Sequence, residues 1–181
     1  MKINNSTISP LIQTLVITGL LLSRLVPHPP NFTPVFAAAL FSGTYFYSKK
    51  WAYLFPLFIV ISSDLIINYI TNESLIIRAN LVTYFCVLLT SFMGSLMRSG
   101  TTPIKVIFYS TLSSVCFFII SNFFVWYSGN LYPHNIGGIT ACYVAALPFF
   151  KNTLLSGAVY SSVFYTSYFY ITNYFHIPKK Q

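Results

Sequence analysis

Two ionisable side chains, Arg24 and Asp64, fall within long apolar stretches and are the first candidates for chemistry. An ionisable group inside a membrane-spanning segment is a functional-site hypothesis by default. We expect Arg24 one turn from the outer end of the first span and Asp64 in the outer half of the third, so they can meet at similar depth. Three interpretations stay open: an ion pair that locks two helices, a pair that binds ligand or couples to a proton, and an Arg24 that reaches the membrane interface.

A second group of candidates consists of amide and aromatic side chains spaced four residues apart, which places each set on one helix face. The group contains Asn68 after Asp64, Asn80 with Tyr84, Asn122 with Trp126, and Asn152 with Ser156 and Tyr160. All of them lie toward the outer ends of their predicted helices. This clustering predicts an outward-facing cavity, although polar contacts between helices would explain the same pattern.

A proline-rich segment, residues 27–34, separates the first two predicted spans. Its four prolines forbid helix and hold the backbone stiffly. We therefore expect a preformed element over the outer end of the protein, which displays His28 and Asn31 for binding. A proline-locked turn with no ligand is the alternative interpretation.

A second outer loop is expected at residues 132–138. Gly137 and Gly138 permit a sharp turn into the apolar segment 136–150, which carries Tyr143. At about fifteen residues this segment is too short to span comfortably and is predicted to be re-entrant or interfacial. Irregular backbone of this kind is tolerated where protein buries it or a watery cavity meets it, which favours a lid over a site.

The composition indicates the class of protein whose elements position these side chains. Hydrophobic residues make up 55% of the 181 residues and charged residues only 7%, against roughly 25% in soluble domains. The two acids cannot solvate a globule of this size, which excludes a soluble enzyme. The net charge of +8 is spread along the chain without a basic stripe, so no nucleic-acid partner is expected.

Apolar segments of about 20 residues are read as spanning helices. The sequence predicts an all-α polytopic membrane protein, a single domain over 1–181, with a six-transmembrane-helix bundle and the segment 136–150 before its last helix. The predicted spans are 9–26, 33–48, 51–71, 79–98, 104–127 and 152–175. Small residues one turn apart, as in Ala39-x-x-x-Gly43 and Gly157-x-x-x-Ser161, predict close helix contacts.

The basic residues orient this bundle. With both termini in the cytoplasm, seven of the ten Lys and Arg residues fall inside and three outside, which obeys the positive-inside rule. If 136–150 were a full span, six would fall inside and four outside. The six-span arrangement is therefore preferred.

Several segments resemble a bacterial inner-membrane family of unknown function. They are Arg24-x-x-Pro27-His28-Pro29-Pro30-Asn31-Phe32-x-Pro34-Val35, Asn122-Phe123-x-x-Trp126 and Cys142-Tyr143-x-Ala145-Ala146-x-Pro148-Phe149. The layout is similar to the S components of energy-coupling-factor vitamin transporters, which capture a vitamin outside and use a separate ATPase module. Many S components carry an Ala-x-x-x-Ala pair on the first helix. The first span here has no alanine, which leaves room for a solitary transporter.

These observations predict a multi-pass protein of a bacterial inner membrane that binds and transports a small solute, with a vitamin as candidate. The expected binding residues are Arg24, His28, Asn31, Asp64, Asn68, Asn80, Asn122, Trp126, Tyr143 and Asn152. Expected partners are the solute, membrane lipid and, by the resemblance, a separate energising ATPase module. We expect no catalytic residue, metal or cofactor. The alternative is a structural or assembly membrane subunit without a small-molecule substrate.

Overall fold

A computed structural model describes Gly19 and residues 28–71 and 77–174, and all regular secondary structure within them is helical. The helices are α1 (Val35–Tyr45), α2 (Lys49–Thr71), α3 (Ile77–Ser95), α4 (Pro103–Ser128) and α5 (Ile136–Tyr174). The predicted spans 33–48, 51–71, 79–98 and 104–127 correspond to α1 to α4. The predicted span 9–26, apart from Gly19, lies outside the described residues.

The structure corrects the predicted division between 136–150 and 152–175. Both segments belong to α5, a continuous helix of 39 residues with Pro148 inside it. A proline removes one backbone donor but need not end a helix when packing holds both sides. Here α4 provides that packing, because it contacts Cys142 on one side of the proline and Thr153 on the other.

Helix α1 is the centre of the bundle. Every residue from Val35 to Thr44 is buried, and α1 packs against α2, α3, α4 and α5. A helix that is apolar all round belongs inside a protein rather than at its surface. With 11 residues α1 is about 16 Å long, well short of a bilayer core of about 30 Å.

Small residues allow α1 and α3 to cross at backbone contact. A Cβ atom added to Gly43 would overlap the carbonyl oxygen of Ser91, and one added to Gly94 would overlap that of Leu40. Helices α4 and α5 also approach closely at a glycine, since a Cβ on Gly157 would lie 2.9 Å from the side-chain Oγ of Ser110. The predicted small-residue contacts at Gly43 and Gly157 are therefore present.

The two ends of the bundle differ in charge. We call the end that holds Asn31, the beginning of α3 and the end of α4 the Asn31 end, and the opposite one the Arg98 end. Of the basic side chains that the structure describes, Lys49, Lys50, Arg98 and Lys105 lie at the Arg98 end, and Lys151 lies toward the Asn31 end. Arg98 Nε donates to the carbonyl of Gly43 at 2.7 Å, which places a cation at the negative end of α1.

Candidate functional site

A cavity of about 500 Å³ lies toward the Asn31 end. Side chains of α3, α4 and α5 and the segment before α1 line it. Its aromatic lining consists of Phe117, Phe118, Phe124, Phe149 and Phe150, and its polar lining of Asn31, Thr83, Ser121, Asn122, Ser128 and Thr153. Among the lining residues that the structure describes, none is charged. The volume is within the usual range of small-molecule sites.

Helical spacing brings the lining of α4 to one face. Ser121 and Ser128 are seven residues apart, two turns, and Phe117 lies one turn before Ser121. On α5, Ala146, Phe150 and Thr153 follow the same rule. The cavity is therefore the space between two antiparallel helix faces, completed by Val82 and Thr83 of α3 and by Asn31.

Asn31 reaches the cavity from a turn that the chain holds in place. Its φ of 63° lies in the left-handed region, which asparagine tolerates better than most residues. The turn is closed by a hydrogen bond from the Phe32 amide to the Pro29 carbonyl at 3.0 Å. Asn152 Nδ2 donates to the Pro30 carbonyl at 3.0 Å and joins the turn to α5. The segment 28–34 is thus a braced element, and Asn31 is the residue it contributes to the lining.

Three polar side chains of α4 in the cavity donate to carbonyl oxygens of their own helix. Ser121 Oγ donates to the Phe117 carbonyl at 2.6 Å, and Ser128 Oγ to the Phe124 carbonyl at 2.7 Å. Asn122 Nδ2 donates to the Phe118 carbonyl at 2.8 Å. Each side-chain oxygen keeps lone pairs after this bond, so these side chains offer acceptors to a ligand.

The carboxylate of Asp64 is outside the cavity lining. Its Oδ2 accepts a hydrogen bond from the Tyr84 hydroxyl at 3.1 Å, which joins α2 to α3. Asn68, one turn further along α2, is half-buried and also outside the lining. Arg24 and the side chain of Asn80 lie outside the described part of the chain. The described residues therefore contribute no charged group to the cavity.

Three further predicted binding residues connect elements of the protein instead of lining the cavity. Trp126 Nε1 donates to the Pro133 carbonyl at 3.0 Å, and Tyr143 OH donates to the Ile119 carbonyl at 2.7 Å. Asn152 binds Pro30 as described above. These bonds brace the connection between α4 and α5 and the turn before α1, so their positions shape the cavity indirectly.

His28 is exposed, and its Nδ1 lies 3.0 Å from the Pro29 carbonyl. His134 Nε2 lies 3.0 Å from the Trp126 carbonyl, with its ring edge-on to the indole. Neither histidine lines the cavity. In the described residues no group of three His, Cys, Asp or Glu side chains is close enough to hold a metal ion.

Of the ten predicted binding residues, the structure places Asn31 and Asn122 together in the cavity. The sequence interpretation missed Ser121, Ser128, Thr153 and the phenylalanines. One local signal was available: Ser121 and Ser128 repeat at two turns toward the same end of α4. The pair predicted from the sequence, Asn122 and Trp126, lies on a neighbouring face of α4. Of this pair, only Asn122 borders the cavity.

The sequence profile of a family of unknown function, DUF6580, matches residues 4–179. No curated protein and no solved structure matches the chain significantly. The match covers nearly the whole chain, and the family's description names no ligand or activity.

Proposed function

Since this chain belongs to the family of unknown function DUF6580, which brings no activity with it, we propose from its cavity and its helix surfaces that it binds and transports a small solute across a bacterial inner membrane. The observation that carries this proposal is the cavity of about 500 Å³ at the Asn31 end, lined by five phenylalanines and six polar residues. Binding sites for small molecules are typically concave, mostly apolar and equipped with a few polar groups that orient the ligand.

The surface of the long helices supports a membrane location. Helices α2 and α4 are each long and apolar enough to cross a membrane, and only 28% and 22% of their apolar windows are buried. Large side chains such as Phe58 and Ile107 are 62% and 63% exposed. The core helix of a soluble protein would be mostly buried, whereas lipid accepts apolar side chains on the outside.

We propose six membrane passages, the sequence-predicted segment 9–26 and the five helices α1 to α5, with both termini in the cytoplasm. Helix α1 is too short to span the bilayer core by itself, and in this arrangement it is the inner passage, packed against α2 to α5. The four basic side chains at the Arg98 end support this orientation through the positive-inside rule. The cavity then belongs to the outer half of the protein, because its α4 residues come from the last half of that helix. A solute would enter from outside and be released by movement of helices around the cavity.

The energy source separates two forms of this proposal. The resemblance to S components favours a separate ATPase module and places vitamins first among the solutes to test. The absence of alanine in the segment 9–26 favours a solitary transporter. Co-purification of the chain from its own membranes, with and without ATPase subunits, distinguishes the two forms.

Native mass spectrometry of the mildly solubilised full chain tests the proposal. We expect a stoichiometric non-lipid adduct that is lost in Ser121→Phe, because the added ring fills the cavity. Ser162→Phe is the matched control: Ser162 also donates to the carbonyl four residues before it, but it is exposed and outside the lining. An adduct retained equally by both variants would refute the cavity as the binding site.

A structural or assembly subunit is the second candidate function. It is favoured by one observation, that Trp126, Tyr143 and Asn152 are all engaged in bonds within the protein. This reading needs no ligand and predicts a co-purifying protein partner, with a defect in cell shape or assembly on deletion. Loss of uptake of one solute on deletion, with assembly unchanged, would instead favour the transporter.

A further inference from the structure

The cavity presents oxygen acceptors beside aromatic rings. The hydrogens of Ser121, Ser128 and Thr153 are directed at carbonyl oxygens of α4 and α5 at 2.6, 2.7 and 3.0 Å. One amide hydrogen of Asn122 is likewise directed at the Phe118 carbonyl at 2.8 Å, which leaves its second N–H. A hydroxyl that donates to the preceding turn still has lone pairs for a second partner. Three hydroxyl oxygens and one amide oxygen are thereby set to accept hydrogen bonds from a bound molecule.

The electrostatics of the lining disfavour an anion. The lining residues described carry no positive charge, and the carbonyl end of α4 reaches the cavity at Ser128 and Gly129, where the helix dipole is negative. The amide of Val35 at the start of α1 is capped by Thr33 Oγ1 at 3.2 Å, and neither residue lines the cavity. Among the described lining residues, an anionic group would therefore be desolvated without a compensating charge.

The apolar part of the lining fits a flat ring system. Phe118 and Phe150 lie with ring centroids 4.5 Å apart and an angle of 31° between their planes, and both border the cavity. Aromatic rings favour offset or tilted contacts with other rings at such distances. Asn31, exposed at the cavity, is a lining amide free to donate as well as accept.

We infer that the solute is a flat, largely aromatic molecule without negative charge, whose N–H or O–H groups donate hydrogen bonds to the oxygens of Ser121, Asn122 and Ser128. This inference rests on the proposed function and specifies the substrate class of the same cavity. The juxtaposition of oxygens that keep free lone pairs with phenyl rings, among described lining residues that carry no charge, supports it.

Three probes of one skeleton test the inference on the purified full chain. Indole-3-acetamide is neutral and carries N–H donors, its fully N-methylated analogue is neutral and carries none, and indole-3-acetate is anionic. Dissociation constants are measured by ligand-observed NMR titration. We expect the acetamide to bind about tenfold more tightly than either of the other two. The methylated analogue loses its N–H donors, whereas the acetate keeps the indole N–H but carries a charge that the described lining does not compensate.

Two variants test whether the difference in affinity between the probes arises in the cavity. Ser121→Ala removes one acceptor and is expected to weaken acetamide binding about threefold to tenfold while leaving the methylated analogue unchanged. Ser162→Ala, the exposed control, is expected to leave all three probes unchanged.

The inference and the proposed function fail differently. Equal or tighter binding of the acetate or of the methylated analogue would overturn the substrate class while leaving the cavity as a site. The same holds if no probe binds but the natural adduct still depends on Ser121 and proves to be an anion. If no probe binds and no adduct depends on Ser121, both the inference and the proposed function are wrong.

Discussion

The hydroxyl of Ser42 donates to the carbonyl oxygen of Ala52 at 2.8 Å, and both residues are fully buried. This oxygen needs an external donor because the residue four positions later in α2 is Pro56, which has no N–H. Ser42 of α1 thus replaces a hydrogen bond that α2 cannot make for itself. The proline and the serine are one structural unit, although they belong to different helices.

Ser42→Ala is expected to destabilise the protein by about 1–3 kcal/mol, because it leaves a buried carbonyl without a donor. In a Pro56→Ala background the backbone N–H returns, and the same serine change should cost clearly less. Unfolding of all four members of this cycle in detergent measures the coupling. Ser63→Ala is the control. Ser63 is equally buried, but its hydroxyl has only carbonyls of its own helix within reach, whereas that of Ser42 lies 3.0 Å from the Ala39 carbonyl of α1 and 2.8 Å from the Ala52 carbonyl of α2. Equal losses for Ser42→Ala in both backgrounds would contradict the pairing.

Gly94→Ala is expected to cost about 2–3 kcal/mol, because the new Cβ would overlap the Leu40 carbonyl and push α1 away from α3. Gly137→Ala is the matched control, since its Cβ would meet only the Asn135 side chain at 3.4 Å. Melting temperature and monodisperse yield check both variants. A Gly94→Ala protein as stable as Gly137→Ala would show that the helices do not cross this closely.

Tyr165→Phe is expected to cost about 1 kcal/mol, because the buried Tyr165 hydroxyl lies 2.8 Å from Thr44 Oγ1 and joins α5 to α1. Tyr170→Phe, on the exposed side of α5, should be neutral. Chemical unfolding of both variants gives the comparison. No difference between them would mean that the hydroxyl pair contributes nothing.

Asp64→Asn is expected to change solute binding by less than about twofold. The amide oxygen can still accept from Tyr84, and Asp64 is outside the cavity lining. Adduct formation and melting temperature are the two readouts. A tenfold loss of binding with normal folding would bring the carboxylate into the site, and a large loss of stability would favour a lock between helices.

Membrane orientation is tested by single cysteines in a cysteine-free chain. Asn130→Cys lies in the exposed loop after α4, at the Asn31 end, and Lys105→Cys lies on exposed α4 surface at the Arg98 end. In intact cells an impermeant maleimide should label the cysteine at 130 and not the one at 105. The reverse pattern would invert the proposed topology. Permeabilised cells, in which both should react, provide the control.

Local signals were enough to predict where most helices begin and end. The predicted segment 104–127 became α4, Pro103–Ser128, because Pro103 suits a first turn and Thr102 accepts from the Lys105 amide at 3.4 Å. The length of an apolar segment and the spacing of its small residues are also local signals, because both are read from residues close together in the sequence. The same local reading failed at Pro148, where packing of both halves of α5 on α4 keeps the helix continuous.

The sequence by itself determined an all-helical, strongly apolar chain with few charges, a stiff proline segment and close-packing glycines, because each of these follows from composition and short spacing. Only the tertiary structure decided which side chains line one cavity, namely Asn31, Asn122, Ser121 and Phe150. It also decided that Asp64 accepts a hydrogen bond from Tyr84 outside that cavity. Such contacts between helices depend on the rotation of each helix about its own axis. Contacts between residues far apart in the chain set that rotation, and no single segment encodes it.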